Sequence, residues 1–132
     1  MSESVWFSPD IQPPFGEKVL VLTKWGGICD RTFRKYLRAE VPMFSPDALK
    51  LGTDVLWWAP IPEDGWHDFA VEKPPMDTVV LTKGIYGEIR SDEWGFHLSF
   101  QREPSFYIPY AVRYWREIPT LPSGVELRRK ND

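Results

Sequence analysis

Four cations fall within eight residues at Arg31, Arg34, Lys35 and Arg38. Such a group can hold a phosphate or a carboxylate, and an arginine does so with a planar fork that makes two parallel hydrogen bonds. Just upstream, Trp25 stands beside the pair Gly26-Gly27. An indole next to a glycine turn offers a flat face on which a ligand ring can stack, as nucleobases do on aromatic platforms. Trp94, in "EWGFHLSFQ", is the second aromatic that could serve in this way. The bland alternatives are a solvated basic face with Asp30 and Glu40 as local partners, and simple turn packing for Trp25. In "EDGWHD", Glu63, Asp64, His67 and Asp68 could hold a metal or move protons, but their spacing matches no HExxH-type arrangement. No phosphate-binding loop, GxGxxG or nucleophile elbow occurs. These residues point to binding rather than catalysis: no enzyme, no cofactor and no metal site is expected.

The elements that must carry these residues announce themselves through repetition. The stretch "VLWWAPIP" (Val55 to Pro62) returns as "VRYWREIP" (Val112 to Pro119), and "PPFGEKVLVLTK" (Pro13 to Lys24) returns as "PPMDTVVLTK" (Pro74 to Lys83). Upstream of each stands a tryptophan, Trp6 and Trp66; in between come Gly27-Ile28 and Gly87-Glu88-Ile89. Five features recur in one order, so the chain reads as two units, residues 1–62 and 63–132, with a charged tail on the second. Matching the two VLTK words leaves copy two shorter by two residues after its prolines, and leaves Trp25 without a tryptophan counterpart.

Within each unit the strands follow from composition. The runs Lys18 to Thr23 and Thr78 to Thr82 are β-branched and bounded by turn formers. In Glu93 to Gln101 the side chains of Trp94, Phe96, Leu98 and Phe100 alternate with Gly95, His97 and Ser99, the period of a half-buried strand. "SDE" before it reads as a hairpin turn. Closing strands at Thr53 to Trp58 and Ala111 to Trp115 each stop at an Ile-Pro that cannot continue a ladder. Residues 29–40 fit a strand, or a helix with the four cations on one face; the clean alternation of copy two favours strand. Ser45, Pro46 and Gly52 punctuate a short helix near 46–51.

Composition bounds the rest. Thirteen prolines, with seven Trp, five Tyr and eight Phe, argue for short strands separated by rigid turns. One cysteine, Cys29, excludes an internal disulfide and suits a reducing cytoplasm. The N-terminal "MSESVWFSPD" has no signal-peptide pattern, and no apolar run approaches membrane-spanning length. A formal net charge of −3 gives no general nucleic-acid field, so neither a membrane nor nucleic acid is an expected partner.

Trp6, Pro14, Gly16, Val19-Leu20-Val21, Trp58 and Pro60-Ile61-Pro62 together resemble the family of unknown function number 551, abundant in phages and prophages. The first copy matches well; the second has no glycine after Pro75 and carries Arg116-Glu117 in place of Ala59-Pro60. The resemblance implies a small β-rich phage or prophage accessory protein and supplies no reaction, cofactor or catalytic residue.

The expectation is a mainly β fold, with α+β as the alternative: two pseudo-equivalent antiparallel units, three or four strands each, packed through their aromatic faces into one compact body. Trp6, Trp58, Trp66 and Trp115 are its structural core, and a groove between the copies would offer residues from both. The function expected is non-enzymatic binding in the cytoplasm of a bacterial host, with a host protein as partner and counter-defence as one use. A sponge for a small anionic nucleotide-like ligand is the alternative, through Trp25, Arg31, Arg34, Lys35, Arg38 and Trp94. An enzyme built on His67 ranks last.

Overall fold

The computed structural model describes residues 5–108 and 111–128. Nine strands form one antiparallel sheet: β1 (Lys18–Thr23), β2 (Ile28–Arg34), β3 (Met43–Ser45), β4 (Val55–Pro60), β5 (His67–Asp68), β6 (Thr78–Gly84), β7 (Ile89–Gly95), β8 (Ser105–Phe106) and β9 (Val112–Arg116). The spatial order is β4-β1-β2-β7-β6-β9-β5, with β3 on β2 and β8 on β7. The described residues contain no helix.

Exchanging β1, β2, β3 and β4 for β6, β7, β8 and β9 reverses the central order onto itself. The pairing registers give the correspondence residue by residue. Leu22 lies opposite Ile28, and Lys83 opposite Ile89; Val19 lies opposite Arg31, and Val80 opposite Asp92. Ile28 and Ile89 are 61 positions apart, and so are Pro13 and Pro74. Positive φ angles recur at the same spacing, at Gly16 and Asp77 and again at Gly26 and Gly87. The two copies therefore align without a gap from the prolines to the end of the second strand. At the centre, Cys29 faces its own counterpart, Arg90.

The repeated closing motif does two jobs. Trp58 donates its indole N–H to the Ile11 carbonyl at 2.7 Å, and Trp115 donates to the Glu72 carbonyl at 2.8 Å. Each tryptophan thus pins the segment that leads into its own unit's first strand, while its rings sit in the core. The Ile-Pro that follows serves the other copy. Trp6 donates to the Pro119 carbonyl, and Trp66 to the Pro62 carbonyl. Both closing strands also bulge just before the tryptophan, opposite Leu22/Thr23 and Lys83/Gly84.

Alternation along β1 and β6 splits the core in two. On one face Leu20, Leu22, Ile28, Leu81 and Ile89 form a core shared by both copies. Trp6, Trp66, Ile61, Ile118 and the tail residues Leu121, Val125 and Leu127 cover it. On the other face each unit has a private cluster. Val19, Val21, Phe33, Phe44 and Trp58 make the first; Val80, Trp94, Phe106 and Trp115 make the second. Each buried aliphatic contributes roughly 1.5–3 kcal/mol relative to exposure. Trp6, Trp58 and Trp115 are buried as expected, and Trp66 is half-buried against the shared core.

Four expectations change. The units do not pack through their aromatic faces; they join edge to edge through β2 and β7, and their aromatic clusters stay separate. The short helix near 46–51 is absent, because Phe44 and Leu49 exchange backbone hydrogen bonds of 2.8 and 3.0 Å and Leu51 bridges Val55. Burying Leu49 on Phe44 leaves a four-residue loop, with no room for a helical ladder. "SDE" lies inside β7 rather than in a turn, and β7 ends at Gly95, so "FHLSFQ" is not strand. Its partner β6 starts at Thr78, opposite Trp94; beyond that point Pro74-Pro75 offers no N–H to continue the ladder. Residues 29–34 are strand and 35–42 loop, which resolves the strand-or-helix alternative.

The described part of the tail returns to the first unit. Arg128 donates its backbone N–H to the Gly26 carbonyl at 3.0 Å, while residues 129–132 lie outside the described residues. A Cβ at Gly26 would stand 2.6 Å from the Arg128 Cβ, whereas one at Gly87 would meet nothing within 4 Å. Both glycines hold positive φ, so Gly87→Ala costs about 1 kcal/mol of backbone strain. Gly26→Ala carries the same strain and also displaces the tail. Thermal denaturation is expected to rank Gly26→Ala below Gly87→Ala, with proteolysis at 120–128 accelerated only in the former.

Candidate functional site

The basic group does not act as one unit. Arg31 lies on the private face between Cys29 and Phe33, where its guanidinium donates to the Asp47 carboxylate and the Asp30 carbonyl, both at 2.7 Å. It ties β2 to the loop after β3. The Asp30 carboxylate pairs with Lys18 instead, at 3.7 Å. Arg34, Lys35 and Arg38 are exposed at the end of β2 and in the following loop. Lys35 stands 5.2 Å over the Phe15 ring, which stacks on Phe33. These residues, with Gly16 and Arg34, line a shallow pocket of about 440 Å³.

Trp25 is 56% exposed at the tip of the β1–β2 turn, with Lys24 5.0 Å above its ring. Lys24 is held in turn by Asp54 at 3.0 Å. The Lys50 backbone N–H, and then Lys24, hold the Asp54 carboxyl below its usual range. Beside Trp25 lies a cleft of about 440 Å³ lined by Gly26, Gly27, Ser91, Asp92, Tyr107 and Arg128. Residues from both copies meet there. Trp25 does have an aromatic counterpart, since the gapless alignment places it at Tyr86, which is 85% exposed on the β6–β7 turn. Trp94 corresponds to Phe33 and is buried on Phe69 and Phe106, so it belongs to the core and not to a ligand site.

Polar residues of β7 work structurally. Ser91 Oγ accepts the Ile28 N–H at 2.9 Å, and Asp30 Oδ1 accepts the Ile89 N–H at 3.4 Å, a reciprocal pair across the seam. The Asp92 carboxylate accepts the backbone N–H groups of Tyr107 and Ile108 at 3.1 and 2.9 Å. That is the counterpart of the strut made by Arg31 in the first copy. His67 does not join Glu63, Asp64 or Asp68; it sits on the Trp115 ring at 4.3 Å, with Glu72 and Glu117 each 3.3 Å from a ring nitrogen. Among the described residues no three His, Cys, Asp or Glu side chains are grouped to hold a metal ion.

One feature escaped the sequence reading. After β7 the chain turns on Gln101, whose side-chain oxygen accepts the His97 N–H at 2.9 Å and the Leu98 N–H at 3.3 Å. Its amide group donates to the Gly95 carbonyl and Ser105 Oγ. The His97 ring adds contacts to the Glu93 and Ser105 carbonyls at 2.9 and 3.1 Å. This scaffold holds Phe96, Leu98 and Phe100 outward, at 47%, 56% and 79% exposure. Alternation had assigned them to a strand; the gapless alignment, which places Gly95 at Arg34, puts them in the loop that corresponds to 35–42. Leu37 and Val41 are exposed in that loop as well.

Comparison with family models, curated proteins and solved structures finds no match to this chain.

Two outcomes follow. Gln101→Ala removes the hub of the loop, so amides at 97–101 should exchange markedly faster while those of β6 and β7 keep their protection. Global stability should fall by only about 1–2 kcal/mol. Burial raises the Cys29 thiol pKa above its ordinary value, an effect that neighbouring Arg31 partly offsets. The folded protein therefore keeps this proton to higher pH than the unfolded chain. The associated stability is present below the unfolded thiol pKa and is lost as pH rises through the folded one. Alkylation of the native protein should show an inflection at higher pH than in denaturant.

Proposed function

We propose that this chain is a non-enzymatic accessory protein of a phage or other mobile element, which acts in the bacterial cytoplasm by occupying a host protein. The observation that carries the binding reading is the loop of residues 96–104. Exposed aromatic and aliphatic side chains normally sit on mobile loops or cost solubility, yet here Phe96, Leu98 and Phe100 are presented on a backbone fixed by Gln101 and His97. A loop ordered before binding avoids much of the entropy cost of association, and aromatic anchors are the residues on which interfaces most depend. The phage setting rests on the resemblance carried by Trp6, Pro14, Gly16, Val19-Leu20-Val21, Trp58 and Pro60-Ile61-Pro62. Counter-defence is one use of such a protein.

The second reading is the small anionic ligand. It draws support from the pocket in which Phe15 offers a ring face and Arg34 and Lys35 offer charge.

Affinity purification of the tagged protein from host lysate separates the two. On the first reading a single protein co-elutes near fixed stoichiometry, and Leu98→Ser with Phe100→Ser abolishes its capture without lowering the melting temperature. Arg34→Ala with Lys35→Ala leaves capture intact. A nucleotide released on denaturation, lost in Arg34→Ala/Lys35→Ala and kept in the loop variant, would replace this conclusion with the second. A capture that survives the loop variant would contradict the site.

A further inference from the structure

The internal correspondence produces two equivalent grooves, one beside each closing tryptophan. In the second copy the groove runs past Pro75, Thr78, Val79, Val80, Glu117 and Ile118 and has a volume of about 550 Å³. In the first copy the equivalent positions are Pro14, Glu17, Lys18, Val19, Pro60 and Ile61, around a space of about 600 Å³. Trp115 and Pro119 line the second groove where their counterparts Trp58 and Pro62 line the first. Shape is shared; chemistry is not.

Three exchanges separate them. Where the first groove has Glu17, Lys18 and Pro60, the second has Thr78, Val79 and Glu117. The first is completed by Glu63 and Lys83, so two lysines face two glutamates. The second is completed by the tail, whose Leu121, Val125 and Leu127 give it additional apolar lining and whose Glu126 adds a second carboxylate to that of Glu117. Among the described residues no lysine, arginine or histidine lines it, although His67 touches Glu117 from outside at 3.3 Å. An apolar trough of this volume falls in the range of small-molecule sites. Two exposed carboxylates, with no lysine or arginine among the described lining residues, favour a cationic complement.

We infer that the second groove binds an apolar small molecule that carries one cationic amine. The hydrocarbon or ring body lies along Val79, Val125 and Leu127, and the ammonium group lies between Glu117 and Glu126. This site is independent of the loop at 96–104. The first groove, neutralised by Lys18 and Lys83, does not bind such a ligand and serves as an internal control.

The test uses the full chain, with 3-phenylpropylammonium as probe and the neutral 3-phenylpropan-1-ol as its control. Methyl resonances of Val79, Val125 and Leu127 should shift saturably with the cation, and those of Val19 should not. The alcohol should bind several-fold more weakly. Glu117→Gln with Glu126→Gln should weaken the cation by about five- to tenfold, as two partly solvated charge pairs would, with no change for the alcohol. Val79→Lys, which installs the residue of the first groove, should abolish cation binding while the melting temperature stays near that of the parent. Equal affinity for cation and alcohol, undiminished cation binding in the double glutamine variant, or no saturable shift at millimolar probe would each overturn the inference.

Discussion

Everything in this fold hangs on the pairing of two strand edges at one point, Cys29 opposite Arg90. Each unit on its own, β1–β4 or β5–β9, would leave the N–H and C=O groups at this edge unpaired, a liability that natural sheets cover or close. Here the two exposed edges cover one another. Because the pair is antiparallel, the second copy is related to the first by a half-turn about an axis through that point and perpendicular to the sheet, which keeps the same face of both on one side. Leu20 and Leu81, and Ile28 and Ile89, then lie on one common face. The seam is short in backbone pairing, and side chains extend it: Ser91 and Asp30 each take the N–H of the opposite isoleucine. A polar strand segment that looks like a turn in sequence is therefore the fastening of the molecule.

The shared core explains why the closing motif had to be spelled twice with both of its halves intact. Trp58 and Trp115 seal the private clusters and hold the lead-in segments of their own units. The Ile-Pro pairs serve the shared face, where Ile61 and Ile118 pack, and the proline carbonyls receive the indoles of Trp66 and Trp6. With backbone scaffolding supplied by these pairs, the loops that correspond across the axis are free to differ. One is cationic at Arg34, Lys35 and Arg38; the other is apolar at Phe96, Leu98 and Phe100. The same division of labour separates the two grooves beside the tryptophans.

Much of this was legible in the residues. The β1 strand is found at the positions its β-branched run dictated, Lys18–Thr23, and the buried tryptophans of the two closing strands were marked by repetition. The alignment of VLTK with VLTK was two positions out of register, since the prolines align without a gap in space. A slip of two preserves which side chains face which way, but it set Trp25 against Gly84 instead of its counterpart Tyr86. What could not be read was decided by strand pairing and core burial. β7 stops where β6 has nothing left to pair with, and Leu49 is drawn back to Phe44 to complete a core rather than to propagate a helix. For the candidate sites, local charge and aromatic content named Trp25, Arg31, Arg34, Lys35, Arg38 and Trp94 as one set, of which the structure leaves Trp25, Arg34, Lys35 and Arg38 exposed. It misplaced Arg31 and Trp94, whose roles depend on Asp47 and on Phe106.

The most direct test of the seam is a cross-link at the axis. Residues directly opposite in an antiparallel pair have Cα atoms about 4.5–5.5 Å apart, within the range a disulfide can span. Cys29 is the chain's single cysteine, so Arg90→Cys creates one possible internal bridge, read by mass and by gel mobility after mild oxidation. The account predicts an intramolecular disulfide in monomeric, folded Arg90→Cys. It predicts none in Ser91→Cys, whose side chain points to the opposite face. A bridge in Ser91→Cys, or only intermolecular bridges in Arg90→Cys, would contradict the edge-to-edge joining of the two copies.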